Sequence, residues 1–197
     1  MTQDDLPNWF KSDGQKNFEE ILLPRFKERD ARYLQIGAYT GDASIWLYEH
    51  LLKDTDSVLV DVDTWEGSDE VAHHAMNWDT VENVYDVKTV HARKERKIIK
   101  VKLTSDYFFK NNREQFDFIY VDGDHTAYGV IKDAVNAYEC LKPGGIIAFD
   151  DYQWMGAKDP ADRPQMAINA FLAIYRKKVN VLVNGYQLWV QKADTND

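Results

Sequence analysis

The chain has 197 residues, enough to bury one substantial core and too few for a second full domain beside it. With 24 basic against 33 acidic residues its formal charge is −9, which argues against nucleic acid or an anionic membrane as partner and favours a small neutral or cationic ligand. One cysteine, Cys140, excludes an intramolecular disulfide and a cysteine zinc site; between Tyr138 and Leu141 it suits a small buried hydrophobe, and a reducing cytoplasm is the simplest location. Asp4 and Asp5 stand where a signal peptide would be basic, and no apolar run approaches the ~20 residues of a membrane span, so neither export nor insertion is expected.

In chain order, Phe18, Ile21, Leu22 and Phe26 fall at helical spacing between Gln15 and Arg29, interrupted by Pro24. They predict one helix or two short ones within 1–30, a cover for a sheet or a substrate lid. Tyr33 to Ile36 reads as a first strand, Gly37 to Gly41 as a tight turn, and Ala43 to Leu52 as an amphipathic helix carrying Ile45, Trp46, Leu47 and Leu51. Val58 to Val62 gives the second strand. The polar segment Ser68 to Arg96 reads as a mostly helical insertion or lid, with turn-like breaks near Asn77 and Asn83. Ile98 to Leu103 and Phe116 to Val121 supply strands three and four, and a helix follows from Tyr128 to Leu141. The turn Lys142, Pro143, Gly144, Gly145 then leads into strand five, Gly145 to Phe149. Strands alternating with helices imply a parallel, doubly wound sheet. After a helix from about Arg163 to Lys177, Val179 to Val183 and Tyr186 to Gln191 flank Asn184 and Gly185, a pair that predicts a two-residue hairpin with both turn positions at positive φ. The expectation is one α/β domain over 1–197, Rossmann-like, with about seven strands, an antiparallel hairpin at the end and a frayed tail over 193–197.

Chemistry-bearing residues gather where strands end. Asp122, Gly123, Asp124 and His125 follow strand four, and Asp150 and Asp151 follow strand five; in a parallel α/β sheet those ends border the ligand crevice. Carboxylates crowded there repel one another unless a hard cation or a proton offsets their charge, and oxygen-rich sets of this kind suit magnesium or calcium. A series of helix caps explains one Asp more readily than all of them. Gly37 and Gly41 let the backbone approach a ligand. Asp42, Ala43 and Ser44 stand where a dinucleotide fingerprint wants a third glycine, which counts against a nicotinamide cofactor. Asp61 and Asp63 close strand two on one face, at roughly the ~20-residue distance at which a carboxylate grips ribose hydroxyls; Asp63, nearer the strand end, is preferred, with Asp61 as its structural partner. His73 and His74 diverge on a helix and suit a lid or surface role. Trp65, Trp78 and Trp154 border the crevice and can stack on a flat or sugar substrate, while Arg93, Lys94, Arg96 and Lys97 read as a solvated helix end. A metal hydroxylase would want two histidines and a carboxylate converging, and only His125 sits near the acids.

These motifs carry a likeness. Leu34 to Gly41 is similar to the cofactor turn of catechol O-methyltransferase and its relatives, which bind S-adenosylmethionine. Phe116 to His125, with Leu141 to Tyr152, resembles the small metal-dependent sugar and macrolide O-methyltransferases, whose hallmark is an Asp-Gly-Asp or Asp-Gly-Ser-His turn and then a Gly-Gly strand ending in Asp-Asp. Residues 62–67 match the ribose-binding end of strand two in that group. The likeness runs from about Tyr33 to Trp154 and implies the class I methyltransferase fold, which closes with an antiparallel hairpin. It implies that Asp122, Asp150 and Asp151 hold Mg²⁺ or another hard divalent cation. By the same resemblance Gly37, Tyr39 and Gly41 line the methionine part of S-adenosylmethionine, Asp63 its ribose, and Ser105 with Asp106 its adenine edge. Gln35 departs from the pattern: it stands where the family usually has an acid that steadies the cofactor's amino end, so its amide would act without a charge. The two subfamilies point to different bases, the sugar enzymes to Asp124 and the catechol enzymes' lysine to the position of His125; beside a metal-bound hydroxyl a modest base suffices, so either serves. The activity implied is methyl transfer from S-adenosylmethionine to a hydroxyl of a small sugar-like or catechol-like acceptor with Mg²⁺ assistance. The alternatives are a non-catalytic cofactor- or nucleotide-binding protein with a structural ion, and a metal-independent methyltransferase.

Overall fold

Unbroken apolar runs make the central strands, because a strand covered by helices on both faces has no solvated side. In the computed structural model, which describes residues 6–68 and 71–194, β1 (Arg32–Ile36), β2 (Val58–Asp63), β4 (Phe116–Val121) and β5 (Leu141–Phe149) are buried over most of their length. The edge strand β3 (Ile98–Lys102) carries Lys100 and Lys102 instead. With β6 (Val179–Asn184) and β7 (Leu188–Lys192) they form a seven-stranded sheet of order β3-β2-β1-β4-β5-β7-β6. Pairing is parallel from β3 to β5 and antiparallel for β7 against both β5 and β6. The doubly wound sheet with a terminal hairpin expected from the sequence is therefore the fold.

Helical cover divides between the two faces. On one lies the N-terminal segment, which begins with a π-helical turn at Phe10–Gly14 and continues through α1 (Gln15–Asn17), a second π-helical turn (Phe18–Leu22) and α2 (Leu23–Phe26), with Pro24 in the first turn of α2. Phe18 and Leu22 are completely buried against Trp46, Phe118 and Trp189, so the segment is a wall of the core. The same face receives α3 (Asp42–Leu47), which widens into a π-helical turn at Tyr48–Leu52, together with α5 (Trp78–Lys94) behind the short α4 (Val71–His74). The opposite face packs α6 (Ser105–Asn111), α7 (Ala127–Cys140) and α8 (Pro164–Tyr175) against the sheet through Val130, Ala134, Ile168 and Phe171.

Several boundaries differ from the sequence reading for identifiable reasons. Asn77 does break the 68–96 segment, as the N-cap of α5 whose side chain accepts the Thr80 N–H at 3.0 Å; Asn83 lies inside a continuous helix and breaks nothing. Residues 69–70 of that segment, Asp4 and Asp5, and 195–197 of the expected frayed tail lie outside the described residues. The helix α6 was not expected at all, although Thr104 caps it by accepting the Tyr107 N–H. Lys142 to Gly145 do not precede β5 as a turn but bulge within it, where the pairing skips from Leu141 opposite Phe116 to Ile146 opposite Phe118 and Gly144 takes φ 72°. The final hairpin forms without positive φ at Asn184 or Gly185: Asn184 pairs with Leu188, and the Gly185 N–H closes a longer loop on the Gln187 carbonyl at 3.0 Å. Cys140 is half-buried.

Candidate active site

The C-terminal ends of β1, β2, β4 and β5 open into one cavity of about 670 Å³, within the range of small-molecule sites. Its floor is the turn after β1. Gly37 adopts φ 86°, and a Cβ there would fall 1.9 Å from the Asp122 carbonyl oxygen, so the close approach of the chain after β1 to the chain after β4 admits no side chain. Gly41 takes φ 80° as the N-cap of α3, tight against Tyr85, and lies behind the cavity surface. Asp63, at the tip of β2, braces this turn. One of its oxygens accepts the N–H groups of Ala38 at 2.7 Å and Tyr39 at 2.9 Å, and the other accepts that of Trp65 at 2.7 Å. The buried Gln35 holds the turn from beneath, donating from Nε2 to the Gly37 carbonyl at 2.8 Å. Asp61 points into the core, where the Tyr85 hydroxyl donates to it at 2.8 Å; burial pushes its pKa up to about 7.

Acidic side chains crowd the β4 and β5 end. Asp122, His125 and Asp151 each offer a ligand atom, and these atoms all lie within 4.8 Å of one another. His125 Nε2 is 3.0 Å from an Asp151 oxygen and 3.9 Å from Asp122, and its ring stands 5.3 Å from that of Trp154. Asp151 sits at φ 53°, with the Tyr186 hydroxyl donating to its other oxygen at 2.6 Å. Asp150 is placed differently. Its oxygens accept from the Tyr120 hydroxyl, from the Asp151 N–H at 2.9 Å and from Gln187 Nε2 at 3.2 Å, so it stands behind the group rather than inside it. Burial, then repulsion from Asp150 and Asp151, holds the Asp122 pKa well above the usual carboxylate range; burial, then Asp151, raises Asp150 to about 6. Two carboxylates and an imidazole under this electrostatic pressure suit a divalent cation, which would relieve the repulsion.

Other expected residues are spread around the same cavity. Asp124 lines it with one oxygen accepting the Thr126 N–H at 2.8 Å. Ser105 and Asp106 line the far end, where Asp106 is ion-paired to Lys132 of α7. Tyr39 lines it too, its ring tilted against that of Trp9 at 4.8 Å, as do Trp78, Trp154 and His73. Trp65 does not border the cavity: it is buried, its indole N–H donating to the Tyr39 carbonyl at 2.9 Å. Sequence reasoning passed over Trp9, Tyr186, the Gln187 support and Asp133. Asp133 left a signal, a charge on the apolar stripe of a helix.

No helix among the described residues is long and apolar enough to cross a membrane. Residues 34–152, more than half of the chain, match the family model described as a methyltransferase domain. No curated protein matches the sequence. Among solved structures, the O-methyltransferase TomG from Streptomyces achromogenes in complex with SAM is 18% identical, over 88% of this chain and 78% of that one, with a TM-score of 0.64. An O-methyltransferase from Bacillus cereus in complex with SAH is 20% identical over 90% and 80%, TM-score 0.61. Cofactor-bound Rv0187 from MTB is 15% identical over 98% and 85%, TM-score 0.68. At such identities these neighbours establish the fold, and the family match establishes kinship: the chain belongs to the methyltransferase domain family and has the class I methyltransferase fold.

Proposed function

We propose that the protein transfers the methyl group of S-adenosylmethionine to a hydroxyl of a small neutral or cationic acceptor, with Mg²⁺ or a similar divalent cation at the β4 and β5 tips. The observation that carries this reading is the convergence of Asp122, His125 and Asp151 within 4.8 Å beside a turn that admits no side chain at Gly37. Asp122 and Asp151, with His125, would hold the ion, and Asp150 would orient Asp151 while fixed by Tyr120 and Gln187. When bound, such a cation makes an acceptor hydroxyl more acidic and fixes its direction. Asp124 is the base this geometry favours, because His125 is engaged by Asp151. It takes the hydroxyl proton as the acceptor oxygen attacks the methyl carbon; the carbon–sulfur bond breaks and its electron pair stays on sulfur, leaving a neutral thioether. Gly37 and Tyr39 line the position for the methionine part, Asp63 the ribose and Ser105 the adenine side. Alignment of oxygen and methyl supplies most of the rate.

Charge narrows the acceptor. Seven aspartates line the cavity against one lysine, and those that ionise favour a sulfonium over a carboxylate- or phosphate-bearing acceptor. Trp154 beside His125 gives a sugar or catechol ring a face to rest on. Calorimetry with S-adenosylhomocysteine, paired with a methyl-transfer assay on vicinal diols and catechols with Mg²⁺ or EDTA, tests the reading. Asp151→Asn is expected to lower the rate by roughly a hundredfold or more while cofactor affinity changes only a few-fold. A rate indifferent to EDTA would convert the protein to a metal-independent methyltransferase, and absence of cofactor binding would end the proposal.

A further inference from the structure

Gly129 is the third residue of α7, inside a right-handed helix where glycine is a poor choice and no positive φ asks for it. Its N–H donates to the Thr126 hydroxyl at 3.1 Å, a bond that any residue but proline would supply. Space explains the glycine instead. A Cβ at this position would stand 2.1 Å from Asp124 Oδ2, 2.3 Å from its Cγ and 2.6 Å from its Cβ, so the Asp124 side chain fills the volume that a side chain at 129 would take. Because the Asp124 Cβ is itself that close, turning the carboxylate does not relieve the contact; the turn between β4 and α7 must move as well. The other oxygen, Oδ1, accepts the Thr126 N–H at 2.8 Å, which ties the carboxylate across the first turn of α7. Oδ2 has no hydrogen-bond partner among the described residues, whereas Asp150 and Asp151 spend both oxygens on their neighbours. Asp124 and Gly129 both line the cavity.

We propose that Gly129 is a positioning residue for methyl transfer: its missing side chain is the notch that seats Asp124 at the cavity wall with Oδ2 available to the acceptor hydroxyl. The inference rests on the reading of Asp124 as the base and adds the residue that fixes it. Oδ2 receives the hydroxyl proton as the acceptor oxygen bonds to the methyl carbon, and sulfur keeps the electron pair of the broken carbon–sulfur bond. One oxygen tied to the backbone and the other free gives the base a single orientation, which is what a proton transfer timed with an in-line displacement needs. The plain alternative is that Asp124 only secures the start of α7. In that case a side chain at 129 disturbs the helix start and nothing else.

The test is a double-mutant cycle on the full chain, with steady-state kinetics on the panel of vicinal diols and catechols and calorimetry with S-adenosylhomocysteine. Gly129→Ala is expected to lower kcat by at least about tenfold, the cost of misplacing a reacting group by about 1 Å, while S-adenosylhomocysteine affinity stays within about threefold. In the Asp124→Asn background the same substitution is expected to lower kcat by no more than about twofold, because the group it misplaces is already disabled. A general structural defect would lower kcat by the same factor in both backgrounds. Equal losses, or an unchanged kcat in Gly129→Ala, would therefore overturn the assignment and leave methyl transfer itself standing. Full activity of Asp124→Asn would remove Asp124 as the base and this inference with it. A wild type that methylates no member of the panel would remove the function reading and the inference together. If Gly129→Ala does not fold, a crystal structure of the wild type with S-adenosylhomocysteine, Mg²⁺ and a methylated member's parent alcohol decides: Asp124 Oδ2 at hydrogen-bond distance from the acceptor oxygen supports the proposal, and any other group in that place overturns it.

Discussion

Gly37 is where one missing side chain decides whether the site exists. The position a Cβ would take lies on the backbone just after β4, not on a movable side-chain tip, so Gly37→Ala must shift either the turn or Asp122. Positive φ adds to the strain, and we expect a loss of about 1–3 kcal/mol in denaturant unfolding together with loss of S-adenosylhomocysteine binding in calorimetry. Asp61 acts through protons instead. Burial raises its folded pKa from 3.8 to about 7, so above the unfolded value and below the folded one the native state keeps a proton that the unfolded chain has released. Its contribution to stability is therefore fully present at pH below about 4 and is lost as pH rises through about 7. Asp61→Asn can still accept from Tyr85 and cannot ionise; its melting temperature should fall by a few degrees less than that of the wild type between pH 5 and pH 8. Parallel melting curves against pH would show that Asp61 does not titrate there. Asp133, also raised to about 7 by burial, has the same sign, and the single variants separate the two. At this scale the sequence was most legible where backbone geometry leaves a residue no choice, as at Gly37. It was least legible at Asp150, whose orientation depends on Gln187 some distance along the chain.

Among the elements, the N-terminal helical segment joins core to site. Phe18 meets Phe10, Trp46, Phe118, Tyr120 and Trp189 edge to face, and Asn17 donates to Gln187 Oε1 at 2.8 Å, the same Gln187 that supports Asp150. A detachable lid would lack that burial. Phe18→Ala is expected to cost about 3–5 kcal/mol in urea unfolding, a value near zero marking the segment as loosely held. Gln187→Leu removes the support without emptying the core; turnover should drop roughly tenfold while cofactor affinity holds, checked by kinetics beside calorimetry. Periodicity found this segment because its apolar spacing is regular, and it found the parallel strands because they are continuous apolar runs. It missed α6, where Ser105, Asp106 and Tyr107 are polar or exposed and the only sign is the Thr104 cap. It also misjudged the last turn, since the Asn184 and Gly185 pair fits a two-residue loop whereas pairing of Asn184 with Leu188 makes the loop longer.

Over the whole molecule, charge and topology agree on what can approach. The formal charge of −9 surrounds a cavity whose lining is itself acidic, and on that ground a polyanion is expected to be repelled. The basic run at the end of α5 does not offset this: Arg93 is paired with Asp86 at 3.0 Å, and the remaining basic residues lie away from the cavity lining. Nucleic-acid binding needs several uncompensated cations along one surface, since each phosphate contact replaces a condensed counterion. Fluorescence anisotropy with a labelled RNA hairpin in low salt, where electrostatic attraction is strongest, is expected to show no saturable binding at micromolar protein. Saturable binding that weakens steeply with added salt would mean that a cationic face exists on this surface and that the acceptor is a polymer.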